Sequence, residues 1–234
     1  MNNKAVYAMA IAPHPFDNDW GLAGTAARWI SEGNDVVYVI CTNGDKGTMD
    51  PDWKPEELAK VREQEQLAAA KIVGVKEVIF LRHPDLGLEY TNEFRKEILR
   101  LVLEYRPEIV ATCDPYYPRY LSNPDHRATG RAVLDTVWPY TLAPNTYRDL
   151  LDQGFQPHKV KEVLLWSTEQ HNYRSDISGT FDIKLAAVNC HQSQVSVIPA
   201  GWAERLRERT RAAAKEEEYE LAEAFYRIEV LQRL

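Results

Sequence analysis

The stretch from His14 to Asp19 carries the side chains best suited to chemistry. His14 and Asp17 lie three positions apart, and Pro15 between them restricts the backbone of the turn. Imidazole nitrogen and carboxylate oxygen are both good zinc ligands, but a catalytic zinc site takes three protein ligands. The stretch therefore predicts two ligands of a metal site whose third ligand comes from elsewhere in the chain.

The third candidate ligand is His126, in the first turn of a helix predicted over 125–137. An apolar run of strand length, 5–12, leads into His14, and a second run, 108–113, precedes the loop that leads to His126. In an open α/β sheet, ligands bind at the carboxyl ends of the strands. We therefore expect His126 to approach His14 and Asp17 at one edge of a sheet.

Apolar runs and helical patterns alternate along the chain, which favours right-handed crossovers and a parallel sheet covered on both faces. The predicted fold class is α/β, a Rossmann-like three-layer sandwich with a mostly parallel sheet, in a single domain over 1–234. No Gly-x-Gly-x-x-Gly follows the first strand, so a dinucleotide is not expected. The predicted strands are 5–12, 35–42, 77–81, 108–113 and 161–166, and the predicted helices are 20–29, 55–73, 91–105, 125–137, 183–191 and 202–234.

Composition excludes several classes of protein. A formal net charge of −7 argues against a nucleic-acid surface, which needs a basic footprint. No apolar run approaches the roughly 18 residues that span a bilayer, and the first residues are not typical of a signal peptide. Cys41, Cys113 and Cys190 are odd in number and far apart, which favours buried thiols over disulfides. These features predict a cytoplasmic protein.

Taken together, the motifs resemble those of the PIG-L/LmbE-like zinc N-deacetylases. That family includes N-acetylglucosaminyl-phosphatidylinositol deacetylase and the bacterial deacetylases of mycothiol and bacillithiol synthesis. The likeness extends over almost the whole chain in the right order. It rests on Pro13-His14-Pro15-x-Asp17 with Gly24-Thr25, Thr42-Asn43-Gly44-Asp45-Lys46-Gly47, Arg62-Glu63-x-Glu65, Pro84-Asp85, Pro124-Asp125-His126-Arg127-Ala128-Thr129-Gly130, Lys184-Leu185-Ala186-Ala187 and His191-x-Ser193-Gln194.

The resemblance implies that His14, Asp17 and His126 bind the metal, Zn²⁺ or another divalent ion. The family's first motif reads His-Pro-Asp-Asp, and its first aspartate is the general base, but this chain has Phe16 there. The family's second motif commonly reads His-Pro-Asp-His, and its first histidine helps to stabilise the tetrahedral intermediate. Asn123 stands at that position. Asparagine can still donate a hydrogen bond to an oxyanion, whereas a phenyl ring cannot accept a proton.

Two nearby carboxylates are candidates for catalytic roles. Asp19 lies two residues after Asp17 and is a candidate substitute base, although capping of the adjoining helix or support of a ligand is the alternative. Asp125 precedes His126 and is expected to orient a neighbouring group. General base catalysis is typically worth about 10²–10⁴ in rate, so the identity of the base decides how active the protein is.

Three residues are candidates for substrate binding. The resemblance places Arg62 and Asp85 against sugar hydroxyls, and an internal ion pair between them is the alternative. The Phe16 ring could line the pocket and stack on a sugar or an apolar group. His83 and His171 are loop histidines without a constraining motif.

The leading hypothesis is metal-dependent hydrolysis of an N-acyl amide, most simply an N-acetyl amino sugar or its conjugate. The rival is a non-catalytic relative that binds metal and sugar but has lost the base. A third hypothesis is a hydrolase whose substrate brings its own base. The expected partner is a small N-acyl amino sugar, with no nucleic acid and no membrane span. A homo-oligomer is also expected, with the charged helix over 202–234 as a candidate contact.

Overall fold

The computed structural model describes residues 4–118 and 123–230. Seven strands form one sheet in the order β3-β2-β1-β4-β5-β7-β6 within these residues. The strands are β1 (Ala8–Ala12), β2 (Val36–Thr42), β3 (Glu77–His83), β4 (Ile109–Cys113), β5 (Glu162–Trp166), β6 (Tyr173–Asp176) and β7 (Ala222–Glu229). The helices are α1 (Asp17–Ser31), α2 (Pro55–Val73), α3 (Asn92–Tyr105), α4 (Pro124–Val137), α5 (Arg148–Asp152), α6 (Phe181–Asn189), α7 (Gln192–Val195) and α8 (Trp202–Ala213).

The first five strands run parallel to one another. β1 lies between β2 and β4, with Ala8 opposite Val36 on one side and Ile109 on the other. β3 and β5 extend this parallel arrangement outward, whereas β7 runs antiparallel to both β5 and β6. All residues of β1, β2 and β4 are buried, which explains their unbroken apolar sequences. The predicted mostly parallel sheet is confirmed.

The sheet separates two apolar cores. Because side chains alternate between the faces of a strand, Ala8, Ala10 and Ala12 contact α1 and α2, whereas Met9 and Ile11 contact α3 and α4. The three alanines of β1 leave room for the larger side chains of α1. This arrangement is the three-layer α/β fold expected from the alternation of elements.

The C-terminal segment differs from the prediction of a continuous helix over 202–234. The helix α8 ends at Ala213, and 222–229 form the strand β7; residues 231–234 lie outside the described part. The run of glutamates at 216–218 has high helix propensity, but pairing with β5 and β6 decides the conformation of 222–229. The strand β6 was also not predicted, because its four residues are mostly polar.

Two compositional expectations can be compared with the structure. Within 4–118 and 123–230, none of the helices combines the length and apolar character that crossing a bilayer requires. Cys41, Cys113 and Cys190 are all free thiols, of which the first two are buried. Burial raises the pKa of the Cys41 and Cys113 thiols above the ordinary value, so both are neutral and unreactive.

Candidate metal centre and its cleft

The turn between β1 and α1 holds an unusual backbone conformation. Phe16, the residue before α1, has φ 93° and ψ −39°, in the left-handed region that bulky side chains rarely adopt. Its N–H donates to Gln66 Oε1 of α2 at 2.9 Å. The carbonyl of the preceding Pro15 accepts from Gln194 Nε2 of α7 at 3.2 Å. Two side chains from separate helices therefore hold the turn on which the candidate ligands lie.

The structure brings His14, Asp17 and His126 together at the carboxyl ends of β1 and β4. Asp17 Oδ2 lies 3.0 Å from His14 Nδ1 and 3.4 Å from His126 Nε2. One candidate ligand atom from each of the three residues lies within 4.8 Å of the others. Two imidazole nitrogens and one carboxylate oxygen at this separation are a donor set suited to one divalent cation.

The second nitrogen of His14 faces two further carboxylates. His14 Nε2 lies 3.1 Å from Asp125 Oδ2 and 3.2 Å from Asp85 Oδ1. Asp125 is fully buried, and its carboxylate also accepts the N–H groups of Leu86 at 2.7 Å and Leu88 at 3.1 Å. These backbone contacts hold Asp125 in place. It can therefore fix the orientation of the His14 ring, with Nδ1 directed toward Asp17.

Electrostatics around His14 favours positive charge. Burial alone would lower the pKa of His14, but hydrogen bonds to Asp125, Asp17 and Asp85 outweigh it, and the pKa is raised well above the ordinary value. Burial lowers the pKa of His126, which keeps this imidazole in the neutral form that binds metals. Burial opposes ionisation of Asp17, but His126 and His14 lower its pKa overall. The site thus presents ionised carboxylates to any cation that enters.

A cleft of about 180 Å³ opens onto these residues. Its lining includes two of the candidate ligands together with residues from five neighbouring loops and helices. The lining residues are His14, Asp17, Gly47, Arg62, Asp85, Leu86, Asn123 and Gln194. A small ligand in this cleft would contact the metal ligands directly.

Arg62 and Asp85 both line the cleft, as expected for substrate-binding residues, yet each also has a structural partner. The Arg62 guanidinium donates to the carbonyls of Gly44 and Gly47, both at 2.7 Å. A Cβ at Gly44 would come within 2.9 Å of the guanidinium, so the loop needs glycine to approach Arg62. Asp85 accepts from Lys46 N at 3.3 Å. Among the described ion pairs, none joins Arg62 to Asp85, and the alternative of an internal pair is not observed.

Asn123 combines a structural contact with a place in the cleft wall. It precedes α4, and its Oδ1 accepts from the N–H groups of Asp125 at 3.0 Å and His126 at 3.4 Å. Backbone N–H groups can only donate, so the side-chain atom that faces them must be the amide oxygen. The amide nitrogen Nδ2 then points away from α4. Asn123 therefore caps the helix that carries His126 and has an N–H donor left for a ligand.

The Phe16 ring lies outside the cleft lining. It stacks on Trp20 with a centroid separation of 5.5 Å and meets the His191 ring edge-on at 5.4 Å. It also packs against the apolar cluster that contains Ile177 and Phe181. The ring fills space beside the cleft and does not line it. A contact between Phe16 and a substrate therefore stays a prediction.

Asp19 is placed where a catalytic role is not favoured. Its side chain is fully buried, and Oδ2 accepts from Gln66 Nε2 and pairs with His191 Nε2, each at 2.8 Å. Asp19 does not line the cleft. Its carboxylate instead anchors the same Gln66 that holds the Phe16 N–H. This is the supporting role that the sequence left as the alternative for Asp19.

The residues that sequence reasoning missed are the supports of the turn: Gln66, His191 and Gln194. The match at His191-x-Ser193-Gln194 was visible in the sequence but suggested no role. In the structure, Glu65 accepts from both the backbone N and the hydroxyl of Ser193 at 2.7 Å, which fixes α7 to α2. Only this packing shows why the motif lies near the site.

Comparison with known proteins places this geometry in a family. The family model described as GlcNAc-PI de-N-acetylase (PIG-L) matches residues 9–137. Diacetylchitobiose deacetylase of Thermococcus kodakarensis is 39% identical over 192 residues, which cover 82% of this chain and 71% of that protein. The 1D-myo-inositol 2-acetamido-2-deoxy-alpha-D-glucopyranoside deacetylase of Mycobacteroides abscessus is 27% identical, over 82% of this chain and 83% of that protein.

Similarity to solved structures extends over nearly the whole chain. The N,N'-diacetylchitobiose deacetylase from Pyrococcus horikoshii, complexed with its inhibitor MPG, superposes with a TM-score of 0.88 at 31% identity. The match covers 96% of this chain and 84% of that one. GalB, the 4-carboxy-2-hydroxymuconate hydratase of Pseudomonas putida, shares the fold at 19% identity and a TM-score of 0.77. On the sequence match and the 39% identical relative together, this chain belongs to the PIG-L family of de-N-acetylases.

Proposed function

We propose that this chain is a metal-dependent hydrolase that removes an N-acetyl group from an amino sugar or its conjugate. The observation that carries the proposal is the convergence of His14, Asp17 and His126 at one end of an open cleft. Family membership supports it, since the relatives that the chain matches are named deacetylases. Fold alone would not decide the reaction, because the same fold occurs in a hydratase.

We infer that the metal is zinc. The donor set of two histidines and one aspartate leaves coordination positions for water and substrate, which is typical of catalytic zinc. The carboxylates of Asp85 and Asp125 beside His14 add negative charge that favours a cation. Zinc bound there would polarise the acyl carbonyl and lower the pKa of a bound water toward about 7.

The substrate class that the relatives support is an N-acetylated glucosamine unit, and diacetylchitobiose is the first candidate. The named substrates of both relatives carry an acetamido sugar. Arg62 and Asp85 lie in the cleft wall, within reach of hydroxyl groups on a sugar held at the metal. The cleft volume of about 180 Å³ accommodates part of a disaccharide, and the rest would extend into solvent.

The residues of this chain would have distinct roles in the reaction. Asp125 holds the His14 ring, so that Nδ1 stays directed toward the metal position. The Asn123 amide can donate to the oxyanion that develops when the acyl carbon is attacked. Asp19, with Gln66 and His191, positions the turn and takes no part in proton transfer. Among the described residues of the cleft, Asp85 is the one carboxylate other than the candidate ligand Asp17.

The absence of an aspartate at position 16 supports a slow enzyme. A bound metal would supply part of the activation of the attacking water, so some turnover can survive without a base at position 16. The rival function, a relative that binds metal and sugar without catalysis, is favoured by the same observation. The two functions make the same prediction for metal binding and opposite predictions for release of amine.

The test measures metal content and amine release on the same preparations. Wild-type protein should bind one zinc per chain and release free amine from diacetylchitobiose. His126→Ala should lose both, since two protein ligands do not hold zinc stoichiometrically. His83→Ala is the matched control, because His83 lies outside the cleft and contacts Glu97. Zinc retained by His126→Ala would contradict the site, whereas wild-type zinc without amine release would identify the rival.

A further inference from the structure

A second cavity, of about 290 Å³, lies at the carboxyl end of β5. It is enclosed by α1, the segment after β5, β6 and α8, and it shares no lining residue with the cleft at the metal ligands. Trp20 in the wall of this cavity stacks on Phe16 of the turn that carries two of the candidate metal ligands. The function proposed above makes no use of this cavity.

Two indole rings, those of Trp20 and Trp166, form part of its wall. Trp166 lies flat against α1 at Gly21, where a Cβ would come within 2.6 Å of the indole Cγ. The close approach therefore requires glycine at position 21. Aromatic side chains that line a concave site are typical of small-molecule sites, where they supply the apolar surface that a ring can pack against.

The floor of the cavity is electrically neutral. Lys184 Nζ donates to Glu223 Oε1 at 2.6 Å, to the carbonyl of Trp20 at 2.5 Å and to that of Asp19 at 3.2 Å. Glu223 in turn accepts the N–H groups of Gly24 and Thr25 inside α1. The charges of this buried pair balance, and all three protons of the ammonium group are used. The net charge of the cavity is therefore set by its other residues.

Two of those other residues are cationic. Arg174 of β6 and Arg209 of α8 line the cavity, in a chain whose net charge is −7. His171 also lines it, but burial and the two arginines lower the pKa of its imidazole, so it is neutral. The Arg209 guanidinium lies 5.9 Å from the centre of the Trp20 ring. Arg174 donates to the Ala213 carbonyl at 2.8 Å and lies 3.9 Å from Glu217. Within 4–118 and 123–230, Arg209 has no carboxylate within ion-pair distance, so its guanidinium is available to an anion.

We propose that this cavity binds a monosaccharide-sized anion, with its ring against the Trp20 indole and its phosphate or carboxylate on Arg209 and Arg174. The volume is at the lower limit of small-molecule sites, which run from about 300 Å³ upward, so a larger ligand such as a nucleotide does not fit. Guanidinium groups bind phosphate and carboxylate through paired N–H donors. Through Trp20, the occupied cavity would contact the turn that carries the metal ligands.

The test is calorimetric titration of the full chain with glucose 6-phosphate, glucuronate, glucose and inorganic phosphate. None of these carries an N-acyl group, so the deacetylase reaction does not intervene. Saturable binding of either sugar anion, at least 10-fold tighter than that of glucose and of inorganic phosphate, is the expected result. Binding of glucose 6-phosphate alone or of glucuronate alone would identify the anion. Equal binding of inorganic phosphate, or no saturable binding, would overturn the proposal.

Variants locate the ligand. Arg209→Gln should weaken binding by about 10-fold, the usual loss for a hydrogen bond to a charged group. Arg211→Gln, on the same exposed helix but outside the cavity lining, should leave it unchanged. His126→Ala should also leave it unchanged, since the metal cleft is not involved. Equal losses in the two arginine variants, or loss of binding in His126→Ala, would place the ligand elsewhere and contradict the assignment.

Discussion

The two sides of the β1–α1 turn have opposite chemistry. On the side that faces the cleft, His14 contacts the carboxylates of Asp17, Asp85 and Asp125. On the other side, Phe16 packs between Trp20 and His191, beside an apolar cluster. The side with the carboxylates can hold a cation. The side with Phe16 presents no group that could accept a proton in the cleft. The comparison teaches that the candidate metal ligands and the side chain at position 16 have separate surroundings, although they lie on one turn.

The backbone of the turn has a conformation that is unusual for the phenylalanine at position 16. Asp and Asn adopt positive φ several-fold more readily than bulky residues, and the left-handed conformation costs about 1–3 kcal/mol when the residue is unsuited to it. Phe16 nevertheless holds φ 93°, because Gln66 accepts its N–H and Gln194 binds the preceding carbonyl. The shape of the turn is thus supported by hydrogen bonds to its backbone from two glutamine side chains.

The largest expected effect concerns those supports. Asp19→Ala would leave the buried donors of Gln66 and His191 without an acceptor, which costs about 1–3 kcal/mol for each. We expect the free energy of unfolding to fall by about 3 kcal/mol, measured by denaturant titration.

Asp19→Asn is the matched control, since the amide retains one acceptor oxygen and should cost about 1 kcal/mol. Activity per folded molecule should persist in Asp19→Asn. If this variant kept its stability but lost all release of amine, Asp19 would be the base and the two sides of the turn would not be separate.

The next effect concerns the metal-facing side. Asp125→Asn should weaken zinc binding by about 10–100-fold, as measured by competition with a chelator, because the group that orients the His14 ring loses its charge. Asp85→Asn provides the comparison, since Asp85 contacts the same nitrogen but has fewer backbone contacts. A larger loss in Asp85→Asn than in Asp125→Asn would reverse the assignment of the orienting residue.

The smallest expected effect is that of placing a carboxylate at position 16. A carboxylate introduced by Phe16→Asp is poorly accommodated against Trp20 and the apolar cluster, so it should turn toward the polar cleft. There it can accept a proton from the attacking water, and kcat for diacetylchitobiose should rise by about 10-fold with little change in KM.

Phe16→Leu serves as the control, because it removes the ring without adding a base and should give no increase in kcat. Wild-type turnover at the rate of an ordinary enzyme, unimproved by Phe16→Asp, would show that another group already transfers the proton.

Much of the metal centre could be predicted from the sequence. His14, Asp17 and His126 each come after a buried parallel strand, and the carboxyl ends of such strands meet at one edge of the sheet whatever the details of packing. The roles of Asp19 and Phe16 could not be predicted in this way. They depend on contacts with Gln66 and His191, which lie 47 and 172 positions from Asp19 and obey no local pattern.

The same contrast explains the error in the C-terminal segment. The local sequence pattern predicts α8 correctly. Its buried residues, Leu206 and Thr210, are four positions apart and therefore lie on one face of the helix. The strand β7 is determined by pairing with β5 on one side and β6 on the other, and both partners lie far away in sequence. Its alternation of side chains is weak, since Glu223 is buried to meet Lys184. In a sequence, a charged residue that is buried in a sheet cannot be distinguished from a surface residue until its ion-pair partner is known.

The pair formed by Lys184 and Glu223 has a consequence for the order in which the chain is made. Glu223 accepts N–H groups of α1 from 199 positions further along the chain, and Lys184 binds carbonyls of the same helix. During synthesis, α1 emerges long before the carboxylate that accepts its N–H groups. Until then Lys184 lacks its counter-charge, and an unpaired buried charge costs about 3–5 kcal/mol. The helix α1 can therefore reach its final packing only after β7 has left the ribosome, although β7 provides none of the three candidate metal ligands.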